Sequence, residues 1–318
     1  MSAPAGILLR TEISSICGSD LHGLRMPAAG SGTGTPPEPE AEAPGELELL
    51  GHESVGVVVE SDDPGFLPGT RVLHVPIVED GRTFAPLQRA KPGFVLAVPH
   101  GLDAERAVFG QQLGTVLWSL KHYLPTGRVP SSVFIAGGGP AGLLFAQVLR
   151  DRGAALVMVS EPVPWRRELA AALGAVAVEP GAAIERMQEL TGGRGAELAV
   201  DAAGSPAARD TCLAVTAGEG VLGLFGIPHD DEAVFALDLR EAFARNLTVS
   251  VVQNAQKEPG LASFAEALRM IAAGRIDVAA LISHRLALDR LGEAFAVAAG
   301  ILDGAVKVLV DLRTGENV

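Results

Sequence analysis

Apolar and polar positions follow two different rhythms along this chain of 318 residues. The first third carries short β-branched runs, ILLRTEIS (7–14) and LLGHESVGVVVE (49–60), set off by Gly- and Pro-containing turns such as DDPGFLPGTRV. Runs of this kind continue to about Pro99 and predict a β-rich region. Between the first two strands, residues 25–48 (RMPAAGSGTGTPPEPEAEAPGELE) lack apolar periodicity and predict a loop. From Asp103 apolar residues recur at helical spacing through DAERAVFGQQLGTVLWSLKHYL, behind an acidic start that suits a helix N-terminus. Strand and helix patterns then alternate. VFIAGG, ALVMVSE, AVAVE, AELAVDAA and VLGLFGI predict strands; PAGLLFAQVLRDRG, PWRRELAAALG, AAIERMQELTG and PAARDTCLAVTAG predict the helices between them. That alternation is the signature of an α/β fold with a parallel, doubly wound sheet. The tail, SFAEALRMIAAGRID followed by LDRLGEAFAVAAG and VKVLVDL, is expected to pack back on the β-rich region. No internal repeat is present.

Composition narrows the class. With 48% hydrophobic and 20% charged residues the chain can bury a core. The net charge of −13 and the 4% aromatic content argue against a nucleic-acid partner, which needs a basic footprint or stacking platforms. Two cysteines, Cys17 and Cys212, make no disulfide framework and point to an intracellular protein. The N-terminus has no signal-peptide pattern. The uncharged stretch 133–149 is interrupted by three glycines and a proline, which favours strand, turn and helix over a membrane span.

That stretch contains a phosphate-binding pattern. Gly137, Gly139 and Gly142 stand at the spacing G-x-G-x-x-G after an apolar strand, and Pro140 and Ala141 open the following helix. In such a turn the glycines permit the bend, the approach of a pyrophosphate and close helix–strand packing, while the helix N-terminus offers N–H groups. Glu161 lies at the end of the next strand, where a carboxylate can bind the adenosine ribose hydroxyls. A carboxylate there repels a 2′-phosphate, so NAD is expected ahead of NADP. Arg166 and Arg167 are either solvated helix charges or groups that reach the ribose or a phosphate.

Chemistry of a second kind sits near the start. Cys17-Gly18-Ser19-Asp20-Leu21-His22 and Gly51-His52-Glu53 offer a thiol, imidazoles and carboxylates, all competent zinc ligands. A catalytic zinc needs three protein ligands and one open position. Asp20 is expected to orient its loop, and Cys212 to be inert core.

Together these words resemble the zinc-type medium-chain dehydrogenase/reductase family, the alcohol, sorbitol and threonine dehydrogenase relatives. The resemblance rests on ICGSDLH (16–22), GHESVGVV (51–58), GTRV (69–72), IAGGGPAGLL (135–144), VSEP (159–162) with Arg166, LGA (173–175), GLFGI (223–227), and ISHRLALDRLGEAF with Lys307. It implies a β-rich, GroES-like catalytic domain over 1–118, to which 264–318 returns, and a Rossmann dinucleotide-binding domain over 119–263. It implies Cys17, His52 and Glu53 as ligands of one catalytic zinc, Ser19 as the hydroxyl that passes on the substrate proton, and His22 as a relay to solvent. Gly137, Gly139, Pro140, Ala141, Gly142, Glu161 and Arg166 would hold the nucleotide. The activity implied is hydride transfer between NAD(H) and a secondary alcohol, polyol or cyclitol-like substrate, or its ketone, in a cytoplasmic homo-oligomer without membrane or nucleic-acid partners.

Three departures from the family qualify this expectation. The four-cysteine lobe of a structural zinc has no counterpart after Val72, so no second zinc is expected. Gln111-Gln112 stands where the family often has Glu-Pro, which removes a negative charge near the metal. The match also begins late, since most relatives carry a further strand or two before GILLR. A zinc-free NAD(P)H-dependent reductase of the same fold and a catalytically inactive nucleotide-binding homologue are the alternatives.

Overall fold

The computed structural model describes residues 6–23, 50–77, 80–228, 234–300, 302 and 304–313. The loop expected over 25–48 lies outside them. The chain divides into two compact units, Met1–Thr115 with Asn254–Val318, and Val116–Gln253.

In the first unit β1 (Ile7–Ser15) leads into a short helix α1 (Gly18–Gly23), then β2 (Ser54–Ser61), β3 (Arg71–His74), β4 (Leu87–Ala90) and β5 (Val95–Ala97). The helix follows closely on the strand expected over 7–14. Its cause is local: the Asp20 carboxylate accepts the Cys17 N–H at 2.8 Å and so turns the chain. The helical run from Asp103 is divided into α2 (Ala104–Ala107) and α3 (Phe109–Tyr123), with Asp103 as the N-cap of α2.

The second unit follows the alternation expected of it: β6 (Ser132–Ala136), α4 (Pro140–Asp151), β7 (Leu156–Ser160), α5 (Pro164–Ala172), β8 (Val176–Val178), α6 (Ala183–Thr191), β9 (Ala196–Asp201), α7 (Pro206–Val215), β10 (Thr216–Leu224). Then come α8 (Leu239–Ala244) and β11 (Thr248–Val251), a strand too short and too exposed for the sequence pattern to reveal. α7 ends three residues earlier than its pattern suggests, because Thr216 is already extended and begins β10.

The chain returns to the first unit with α9 (Ala262–Ala272), β12 (Ile282–Ala287), α10 (Leu291–Ala298) and β13 (Lys307–Asp311). Its sheet runs β12-β13-β1-β2-β3-β5, with β4 also paired to β1. All pairs are antiparallel except β12–β13, and the C-terminal strand aligns Ser15 with Leu309. Phe84, Phe295, Val308 and Val310 fill one core, the two rings edge-to-face at 5.5 Å. Ile7, Leu9, Val58 and Val72 fill another.

The second unit holds a six-stranded parallel sheet in the order β11-β10-β9-β6-β7-β8. Read from the other edge, that is the 3-2-1-4-5-6 order of a dinucleotide fold, whose strand order reverses between β6 and β9. Phe134, Met158, Ala199, Cys212 and Leu222 make its core; Cys212 is fully buried, as expected of an inert thiol. Among the described residues, no helix is long and apolar enough to cross a membrane.

Candidate metal centre and nucleotide cradle

The three sequence-distant ligand candidates meet in the first unit. Cys17 lies between β1 and α1, and His52 and Glu53 enter β2 from Gly51. Antiparallel pairing of β1 with β2 aligns Ser14 with Ser54, which sets the two segments side by side. One ligand atom from each of Cys17, His52 and Glu53 lies within 4.8 Å of the others. Gly51 makes this entry possible. Its φ of +90° is left-handed, and a Cβ there would stand 2.4 Å from Thr83 Oγ1 and 2.8 Å from the Phe84 ring.

The surroundings orient each donor. Asp20 Oδ1 lies 3.2 Å from His52 Nδ1, while Ser19 Oγ lies 3.4 Å from His52 Nε2. A carboxylate behind a histidine fixes the ring and its tautomer, the arrangement found behind metal-ligating imidazoles. Burial opposes protonation of His52, but Cys17 and Asp20 outweigh it and hold the imidazole well above its ordinary value. Glu53 is completely buried. Its Oε2 takes a hydrogen bond from Ser15 Oγ and an ion pair from Lys307 Nζ at 2.6 Å, whereas Oε1 is buried without a partner among the described residues. An orphaned carboxylate oxygen costs free energy unless something meets it. One thiol, one imidazole and one such oxygen are a donor set that fits zinc with a fourth position left open.

Ser19 is thus brought to the imidazole. His22 falls within α1, and its side chain lies outside the described residues. Gln111 and Gln112 are both buried near the start of α3, and Gln112 Oε1 has no partner among the described residues. Sequence reasoning assigned no role to Ser15 or Lys307. A lysine in a strand reads as an exposed edge residue, and only its burial, at 1% exposure, reveals otherwise.

In the second unit the glycine turn follows β6 at the C-terminal end of the parallel sheet, beside the reversal of strand order. Gly142 packs so tightly that a Cβ would lie 1.9 Å from the Gly137 carbonyl oxygen. Gly139 differs: among the described residues, a Cβ there would meet nothing within 4 Å. Gly139 is the N-cap of α4, with Pro140 at the first helical position, and no side chain caps the helix. The space above Gly139 and the first-turn N–H groups fit a phosphate. Ala141 is buried behind the turn.

Glu161, 3% exposed, accepts from Gly138 N at 2.7 Å through Oε2 and from Val163 N at 2.9 Å through Oε1. Its carboxylate therefore fastens the glycine turn to the end of β7, and each oxygen keeps a lone pair. Arg167 donates to the carbonyls of Glu161 and Pro162 at 2.8 and 2.6 Å. Arg166 stacks over Trp165 at 5.2 Å; burial lowers its basicity and Glu161 pulls it back up.

Comparison with known proteins agrees with this geometry. The family described as zinc-binding dehydrogenase matches residues 140–273, and the alcohol dehydrogenase GroES-like domain matches residues 3–113. The chain is 24% identical over 339 residues to sorbitol dehydrogenase of Bacillus subtilis (strain 168), covering 96% of this chain and 89% of that protein. It is 24% identical over 320 residues to L-threonine 3-dehydrogenase of Bacillus velezensis, covering 91% and 87%. Among solved structures, alcohol dehydrogenase TADH from Thermus sp. ATN1 superposes with a TM-score of 0.81 at 23% identity, over 98% of this chain and 94% of that one. The 2R,3R-butanediol dehydrogenase of Bacillus subtilis gives 0.79 at 21%, with coverage of 98% and 94%. The fold is thus shared across the whole length, and with both family domains matched in order the chain belongs to the zinc-binding medium-chain dehydrogenases, oxidoreductases of the alcohol dehydrogenase type.

Proposed function

We propose that this protein is a zinc-dependent dehydrogenase that moves a hydride between NAD(H) and a secondary alcohol, polyol or cyclitol-like carbinol, or the matching ketone. The observation that carries the reading is the convergence of Cys17, His52 and Glu53 within 4.8 Å. Cys17, His52 and Glu53 would hold one catalytic zinc. When bound, zinc supplies Lewis acidity to a substrate oxygen and the dinucleotide supplies the redox chemistry.

The chain's own residues do the rest. Asp20 holds the His52 ring by Nδ1, so that Nε2 can serve as ligand. The Ser19 hydroxyl, close to that ring, takes the substrate proton and passes it toward His22 and solvent. The first unit is the catalytic domain and the second the nucleotide-binding domain. Gly137, Gly139, Pro140, Ala141 and Gly142 seat the pyrophosphate, and Arg166 lies alongside. Support for NAD over NADP comes from Glu161, whose buried carboxylate borders the turn and opposes a further phosphate.

A homo-oligomer fits the open edge of the parallel sheet. β11 ends it, with Val249 and Val251 exposed and Leu239 and Phe243 exposed on the preceding helix. Two copies could pair these edges about a two-fold axis. The acidic surface and the two free cysteines suit the cytoplasm.

The test is NAD⁺ reduction on a panel of secondary alcohols and polyols. Turnover that is lost on chelation, restored by zinc and absent in Cys17→Ser is expected. Turnover that survives both would favour the zinc-free reductase. NADH binding with no turnover on the panel would favour the inactive homologue.

A further inference from the structure

Lys307 sits at the start of β13 with Val308, Leu309 and Val310, all buried, and is itself only 1% exposed. A buried ammonium is stable only beside a counter-charge. Its Nζ lies 2.6 Å from Glu53 Oε2 as an ion pair and, among the described residues, has no other hydrogen-bond partner. Ser15 Oγ donates to the same oxygen. The two donors, from β13 and β1, therefore occupy one oxygen of Glu53 and leave the other, Oε1, buried without a partner among the described residues.

We propose that Lys307 is the resident counter-cation of the Cys17–His52–Glu53 cluster: it balances the buried anions while no metal is bound, and with Ser15 it confines Glu53 to ligation through Oε1. This rests on the zinc reading above and makes Lys307 a positioning residue. A dication and an ammonium that share one carboxylate repel each other, so the same residue holds metal affinity down. The metal-free fold is made independent of zinc at the expense of tighter binding. An ordinary structural ion pair would instead stabilise the metal-free and loaded forms equally and leave affinity untouched.

The experiment compares wild type, Lys307→Met, Lys307→Arg and the double variant Glu53→Gln/Lys307→Met. Thermal unfolding is followed with and without Zn²⁺, and Zn²⁺ affinity is measured by competition with a chromophoric chelator. In Lys307→Met the metal-free midpoint is expected to fall by several degrees, zinc is expected to restore more of it than zinc adds to wild type, and Zn²⁺ should bind about tenfold or more tightly. Lys307→Arg keeps the charge and should behave as wild type. If Lys307→Met does not fold without metal, the double variant, which removes both charges, should fold and recover the midpoint; its failure to do so would overturn the proposal. Should wild type take up no zinc, the metal reading falls and the proposal with it. Should wild type bind zinc while Lys307→Met shows unchanged or weaker affinity and equal losses with and without metal, the proposal alone is overturned.

Discussion

Gly51, the residue before His52, governs whether the cluster forms. Its left-handed backbone and the closeness of Thr83 and Phe84 leave no room for a side chain. Gly51→Ala is expected to cost about 1–3 kcal/mol in denaturant unfolding and to lower zinc stoichiometry as His52 and Glu53 shift. An unchanged unfolding midpoint with full zinc content would rule out that constraint. Ser19→Ala leaves the three ligands in place. It should keep zinc and NADH binding while turnover falls by about 10²–10⁴-fold if the hydroxyl relays the proton; undiminished turnover would remove Ser19 from the path. The thiol, imidazole and carboxylate were legible in the sequence because ICGSDLH and GHE, together with the glycine turn, resemble a zinc-binding family; residue type alone was a modest signal. Ser15 and Lys307 were not. Their importance lies in burial and in pairing with Glu53, across 38 positions for Ser15 and 254 for Lys307, which the β1–β2 and β1–β13 registers create.

Among the elements, the β-strands of the first unit are tied by a buried polar network. Gln88 on β4 accepts from His74 Nδ1 at 2.8 Å and donates to Thr11 Oγ1 at 2.6 Å, while Ser14 donates to the Thr83 carbonyl. Burial pushes His74 down to about 4, the Gln88 bond offsetting only part of the effect. The unfolded chain protonates near 6.5 and the folded one near 4. Stability is therefore complete above the higher value and is lost as pH falls between the two, by about 3 kcal/mol in all. Denaturant titrations at pH 7 and pH 4 should show that loss reduced in His74→Gln; an identical pH slope would contradict it. In the second unit the helices and central strands were readable because crossover helices and buried parallel strands leave long, regular patterns. β11 and β12 escaped: the first is four residues, three of them exposed, and the second carries His284 and Arg285 in a strand with little buried surface. Gly142→Ala probes the cradle directly. The added methyl would collide with the Gly137 carbonyl, so NADH affinity should fall by at least tenfold. NADH binding at wild-type strength would show that the turn does not seat the dinucleotide.

For the molecule as a whole, the α/β class and the parallel sheet were visible in the order of strand and helix patterns, whereas the seven-stranded sheet of the first unit was visible only as a β-rich region to which the tail returns, without its pairing order. It joins strands from both ends of the chain, and no local rhythm records which distant strands will pair. The proposed assembly has its own consequence. Sedimentation should find at least a dimer for wild type, and Val251→Asp should weaken it by charging an apolar sheet edge; a wild-type monomer at micromolar concentration would refute edge pairing. The most direct test of the chemistry is zinc K-edge absorption spectroscopy of the reconstituted protein. One sulfur at about 2.3 Å, with the remaining ligands nitrogen or oxygen at about 2.0–2.2 Å, is the expected first shell, and the sulfur should vanish in Cys17→Ser. A shell without sulfur, or protein that holds no zinc, would contradict it.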